Sequence, residues 1–325
     1  MRRREFILVL GGATVAWPLA TRAQQQIGKV WRIAWMNPGS MDTPSDRALL
    51  DVCRSELRKL GYVEGKNLLI DSRGAEGRFE RLLPIANDLI ALKPDVIVAI
   101  ATPAIAAAQR ATSDIPIVMA PATDPVGSGF IKNYSHPGGN ITGLANMNGD
   151  AIGKAIELLH SIVPGAKRVA VLGSSNTTHP QQYELAEAAF KRLDLAVVRV
   201  KAPTVADLEQ AFDSIVQGNC DALFVLADPT RPAIISLAAK IKIPAVYQFG
   251  GVVEMGGLAS YGPSYPPMFR QLAVYIDKIF KGANPAELPV EQPVVFELAL
   301  NLKTAAALGL IIPEVVLARA DKVIE

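Results

Sequence analysis

Catalysis or metal binding needs histidine, cysteine or carboxylate groups clustered at defined spacings, and this 325-residue sequence holds three histidines and two cysteines. His136 stands in a Pro-Gly-Gly turn and His160 near a predicted helix end, so only His179, within Ser174–Pro180, falls in a loop that a site could use. Gly-x-Ser-x-Gly, His-Glu-x-x-His and clustered Cys/His spacings are all missing from the sequence. Gly127-Ser-Gly129 resembles a phosphate cradle, but it lacks a third glycine and an acidic partner, and no Lys-Ser/Thr follows. Asp124 and Asp228 could face each other as acid and base; each precedes proline at a helix start, where a plain N-cap is the stronger reading. The sequence therefore predicts no catalytic residue, no metal and no cofactor.

Binding needs less. Asn37, Thr102, Thr123 and Asp124 from one half of the chain, with Ser174, Ser175, Asn176 and Asp228 from the other, offer convergent donors and acceptors. Tyr247 and Phe249 could wall an apolar part of a ligand, although one of them may equally be core. Hydroxyls and helix-start N–H groups suit a carboxylate, and Asp124 or Asp228 suits an ammonium. The expected ligand is an amino acid or carboxylate with an apolar or aromatic group. Sugars fit less well, because several aromatic stacking platforms are lacking.

The elements that must position these residues come twice. Val96–Ile100 and Leu223–Leu226 are apolar runs without in/out alternation, as in parallel strands covered on both faces. Each leads through a polar loop and a helix to a second apolar strand, at 115–122 and at 243–249. Upstream, Arg32–Asn37 and Arg168–Gly173 open the two halves, each followed by an amphipathic helix and a further strand. The expected fold is α/β, with two similar doubly wound parallel-sheet lobes. Ligands of such sheets bind beyond the carboxyl ends of the strands. The first lobe is expected at 30–143 plus 262–289 and the second at 150–258 plus 296–325. Crossings near 141–148, 259–263 and 289–296 would form a three-segment hinge that suits closure on a ligand.

Met1–Ala23 reads as an export signal of twin-arginine type, with Arg2-Arg-Arg-Glu-Phe-Ile, a short apolar stretch holding Gly11, Gly12 and Pro18, and Thr21-Arg-Ala23 as cleavage site. A general secretory signal with adjacent arginines is the alternative. No cysteine follows the cleavage site to carry a lipid anchor, so the mature chain is expected in a periplasm, as a monomer. The net charge of +2 comes from this segment, leaving a nearly neutral body without an electrostatic footprint for nucleic acid. Cys53 and Cys220 fall in different lobes and read as free thiols.

Several fragments together resemble the ABC-transporter substrate-binding proteins of type I periplasmic-binding fold, in the branch that includes tryptophan and tyrosine binders. They are Arg3-Arg-Glu-Phe, Leu60-Gly-Tyr-Val-Glu-Gly-Lys-Asn67, Lys93-Pro-Asp-Val-Ile97, Ala122-Thr-Asp-Pro-Val126, His136-Pro-Gly-Gly-Asn-Ile-Thr-Gly143, Asn301–Gly309 and Leu317–Ile324. The resemblance spans nearly the whole chain and implies delivery of a small solute to an inner-membrane ABC permease, without naming the solute. A periplasmic sensor for a signalling partner and an exported enzyme are the alternatives. A repressor of the same fold would need a DNA-binding helix pair where the export signal stands.

Overall fold

The computed structural model describes residues 28–227 and 231–325. The expected signal at 1–23 and the candidate Asp228 lie outside the described residues.

The first sheet holds β1 (Trp31–Asn37), β2 (Leu68–Gly74), β3 (Val96–Ala99), β4 (Ile117–Ala122) and β5 (Ile141–Ala145), parallel throughout in the order β2-β1-β3-β4-β5. Between them run α1 (Pro44–Lys59), α2 (Leu82–Ala91) and α3 (Ala101–Ala111). Strand periodicity divides the core between the two faces. Ile33 and Trp35 of β1 face Leu50, Cys53 and Leu57, a stripe of helical spacing on α1. Ala34 and Met36 face the other way, toward α2 and α3. Helix α1 starts where Thr43 caps it, its hydroxyl accepting from the Asp46 N–H, with Pro44 at the first helical position.

The second half repeats the plan. From α4 (Asn148–Ile162) the chain runs through β6 (Arg168–Gly173), α5 (His179–Lys191), β7 (Ala196–Lys201), α6 (Leu208–Gln217) and β8 (Ala222–Val225). It continues through α7 (Arg231–Lys240), β9 (Ala245–Tyr247), α8 (Gly251–Glu254) and β10 (Ala259–Pro263). Helix α9 (Tyr265–Phe280) then returns to the first lobe, where Phe269, Leu272 and Ile276 pack beside α1. The strand β11 (Phe296–Asn301), α10 (Leu302–Ala307), α11 (Glu314–Leu317) and β12 (Lys322–Ile324) complete the second sheet. Its order, β12-β11-β10-β9-β8-β6-β7, contains the first sheet's winding and adds β11, antiparallel to β10, and β12.

One device recurs at the amino ends of the strands. The Asp95 carboxylate accepts from Arg32 N at 2.8 Å. Asp221 accepts from Lys167 N and Arg168 N at 2.8 and 2.9 Å, and Asp321 from Leu298 N at 2.8 Å. Each aspartate pins the start of the neighbouring strand.

The chain passes between lobes at Asn146–Met147, at Ser264, and through 292–295. The last of these follows Glu291, which is still bridged to Leu144 of β5. Ala259–Pro263, expected as a crossing, is a strand paired on both sides within the second sheet. The passage itself falls one residue later. Cys53 and Cys220 are free, and burial pushes the Cys53 thiol up to about 12. Among the described residues no helix is long and apolar enough to cross a membrane.

Candidate ligand-binding site

The carboxyl ends of both sheets face one another, and between them lies a cleft space of about 700 Å³, counted to its mouth, around an inner cavity of about 60 Å³. A single water needs roughly 10–15 Å³ on the inner measure, so the cavity holds more than isolated waters. β1 ends in Asn37, and the chain after β3 supplies Ile100, Ala101 and Thr102, so the first-lobe wall lies where the strand order reverses. Thr123 follows β4; Asn146 and Asn148 bracket the first crossing; Asn176 and Ala227 come from the second lobe. Leu49, Tyr265 and Phe269 form an apolar side.

A continuous chain of hydrogen bonds runs beneath this cavity from one lobe to the other. The Thr102 hydroxyl accepts from Thr123 N at 3.2 Å, and the Thr123 hydroxyl meets the Asn146 amide at 2.9–3.1 Å. Asn146 Oδ1 accepts from Asn148 N, and the Asn148 carbonyl accepts from Gln248 Nε2, both at 3.0 Å. Gln248 Oε1 takes Ala227 N at 2.9 Å. His179 continues the chain: its Nδ1 accepts from Ser174 N at 2.8 Å, which leaves Nε2 to donate to the Ala227 carbonyl at 3.1 Å. The imidazole is thereby a neutral structural link, fully buried.

Two side chains stand outside this network. Asn37 Nδ2 and both polar atoms of the Asn148 side chain are buried without a hydrogen-bond partner among the described residues, although both residues line the cavity. Polar groups in that state are uncommon in folded proteins.

The electrostatics of the cavity come from helix starts. Helices α3, α4 and α9 begin at its wall. Asn146 Oδ1 takes the first N–H of α4, and Pro266 and Pro267 leave α9 without N–H groups at its second and third positions. The positive dipole ends favour an anion, most of all at α3, whose start has no side-chain cap. Asp46, in the first turn of α1, is the one carboxylate among the described lining residues, and the Thr43 hydroxyl donates to it.

Of the residues named from sequence, Asn37, Thr102, Thr123 and Asn176 come together in this cavity. Asp124 is exposed and its carboxylate accepts from Gly127 N at 2.9 Å, closing its own turn. Ser174 is buried and accepts from Asn176 N, while Ser175 is exposed and donates to the Pro203 carbonyl. Tyr247 sits in the second-lobe core, because it shares a strand face with Ala245 and packs beneath α7. Phe249 packs against Tyr265, with ring centroids 4.6 Å apart and planes tilted by 38°, one layer behind the cavity wall. Sequence reasoning missed Asp46, Asn146, Asn148, Tyr265 and Phe269. Asp46 lies in the first turn of α1, where Thr43 supplies the cap.

A profile of the family described as ABC transporter substrate binding protein matches residues 41–324. A tyrosine-binding protein of Clostridioides difficile is 30% identical over 259 residues, which is 78% of this chain and 74% of the relative. The structure of an ABC domain in complex with L-Trp from Streptococcus pneumonia is similar at a TM-score of 0.81 and 29% identity, covering 91% of this chain and 100% of that one. The ligand-free, open structure of a substrate-binding protein with adhesive properties from Clostridium difficile gives 0.62 at 28% identity, covering 91% and 99%. The two-lobed architecture is that of the type I periplasmic binding proteins. A profile match over residues 41–324, which takes in most of both lobes, places the chain in the ABC transporter substrate-binding protein family, whose members bind ligands and do not transform them.

Proposed function

We propose that this protein captures a free amino acid with an apolar or aromatic side chain between its lobes and hands it to an ABC importer. The observation that carries the reading is the buried Asn37 Nδ2 and the buried Asn148 amide on the cavity wall, which have no hydrogen-bond partner among the described residues. Leaving such groups unpaired costs roughly 1–3 kcal/mol each, a cost that a ligand with donors and acceptors removes. Asp46 takes the ammonium, the uncapped start of α3 takes the carboxylate, and Leu49, Tyr265 and Phe269 face the side group. The relatives named for tyrosine and L-Trp point to the same class. At nearly equal identity the chain matches the L-Trp complex better than the open, ligand-free structure, which supports a closed arrangement of the lobes.

On this reading the chain works as a monomer in the periplasm, exported through its twin-arginine segment. Replacing Arg3 and Arg4 together with lysine should keep the precursor in the cytoplasm, and periplasmic protein should begin at Gln24; export of the double variant at the normal rate would refute the twin-arginine route.

Calorimetry on the chain from Gln24 tests the ligand, using L-Tyr, L-Trp, L-Phe, L-Leu and their N-acetyl forms. One free amino acid should bind, and either N-acetylation or Asp46→Asn should weaken it about a hundredfold, the scale of a charged hydrogen bond. Absence of binding by every free amino acid, or indifference to both changes, sinks the proposal.

A further inference from the structure

The second lobe contains another cavity, of about 350 Å³, that shares no lining residue with the interlobe site. Lys242, Ile243 and Leu258, at the amino ends of β9 and β10, line it, so it opens at the end of the sheet opposite the ligand cleft. Ile235, Ala245 and Leu258 make an apolar wall, and Tyr247 is part of the same lining. The backbone at Gly257 lies against the Tyr247 ring so closely that a Cβ there would stand 3.1 Å from Cε2.

Two polar groups in this lining are unbonded among the described residues. Tyr247 is only 2% exposed, and its hydroxyl has no hydrogen-bond partner among those residues; burial raises its pKa, so it remains a donor. Lys242 is exposed and has no ion pair among the described residues. The other lysine of the lining, Lys303, is engaged by the Glu325 carbonyl oxygen. No carboxylate belongs to the lining. An apolar chamber with a buried phenol, a free ammonium and no acid is complementary to one chemistry.

We infer that this second-lobe cavity binds a small amphipathic carboxylate, its apolar body against Ile235, Ala245 and Leu258 and its anionic group answering Tyr247 and Lys242. The site is independent of the interlobe cleft and of the amino acid proposed for it.

Octanoate, with the neutral octanol as control, tests this by calorimetry on the chain from Gln24. Octanoate should bind one site at least tenfold more tightly than octanol. Lys242→Met and Tyr247→Phe should each weaken it about tenfold, and Ala307→Trp, at the mouth, should abolish binding; unchanged melting temperatures would show that these variants fold. Asp46→Asn should leave octanoate affinity untouched. The inference is overturned if octanoate does not bind at millimolar concentration, as when the cavity instead receives an apolar segment of a partner protein. It is equally overturned if the second-lobe variants bind octanoate normally, or if Asp46→Asn removes binding and so assigns it to the cleft.

Discussion

Beyond the carboxyl ends of the first lobe's strands, four residues other than glycine hold a positive φ: Glu76 after β2, Ala101 after β3, Asp124 after β4 and Met147 after β5, at 55°, 59°, 43° and 53°. The described second-lobe residues in that conformation are Asp194, Asn219 and Lys242, and each follows the last turn of a helix, an ordinary way for helices to end. A left-handed residue with a side chain costs about 1–2 kcal/mol, so the first lobe concentrates strain at the cleft while the second carries none there among its described residues. The lining follows the same division. The first lobe supplies most of the wall, whereas Ser174, His179, Ala227 and Gln248 of the second bond chiefly to one another. Strained backbone gathered around a cavity is a hallmark of sites whose geometry is set before the ligand arrives. The first lobe is thus a shaped platform and the second a self-satisfied cover.

The two lobes should respond alike where the scaffold repeats and differently where the cleft does not. The largest effect is expected at Gly143 and Gly262, where β5 and β10 approach a neighbouring backbone. A Cβ would stand 2.6 Å from Met119 N and O in one lobe and 2.1 Å from Gln248 O in the other. Alanine at either should cost about 2–4 kcal/mol by chemical denaturation; a harmless substitution in one lobe alone would break the equivalence. Next comes Asn148→Leu, which removes an amide that has no partner among the described residues. Affinity for the amino acid should fall about ten- to a hundredfold with the melting temperature unchanged or raised. Asn176→Ala, on the cover, should lose less than tenfold. Equal losses would erase the distinction between platform and cover.

A smaller effect concerns pH. The backbone N–H groups of Lys167 and Arg168 hold the Asp221 carboxyl below the usual carboxylate range. Its folded pKa is lower than its unfolded one, so its contribution is complete above about pH 4 and is lost as pH falls through the folded value. Melting curves between pH 7 and pH 3 should show Asp221→Asn less acid-sensitive than the parent, with a cost of about 1 kcal/mol at neutral pH. An identical acid profile would remove Asp221 from the account. The smallest effect should be Ala101→Gly, where relief of the positive φ is partly offset by the freedom glycine gains on unfolding, for a net gain of no more than about 1 kcal/mol. A clear loss of stability there would mean that the left-handed turn is not strained.

The fold was legible because parallel strands covered on both faces leave apolar runs, and because those runs came twice. The site was legible where a polar residue ends such a strand or stands within three residues of its carboxyl end, as Asn37, Thr102, Thr123 and Asn176 do. Asp46 and Phe269 belong to helices whose periodic faces announce packing, and nothing local shows that one end of that face borders a cavity. Asn146 and Asn148 sit in a crossing whose sharp turn depends on a left-handed methionine, a conformation that residue type does not foretell. Tyr247 was misplaced because a strand's terminal residue can point to either side of the sheet, and only register against β8 and β10 decides which.

The return of α9 to the first lobe has a consequence for timing. The core that holds Trp35 and α1 needs Phe269, Leu272 and Ile276, which the chain delivers only after the whole α4–β10 span. A chain growing from its amino end therefore makes α4 through β10 before it can seal the first lobe, and completes the second sheet with β11 and β12 only afterwards. Until α9 arrives the apolar stripe of α1 is bare, a stretch of exposure in which holding by a chaperone matters most. Trp35, 1% exposed in the finished protein, becomes a clock for that step: its fluorescence should reach the native value only after α9 has docked.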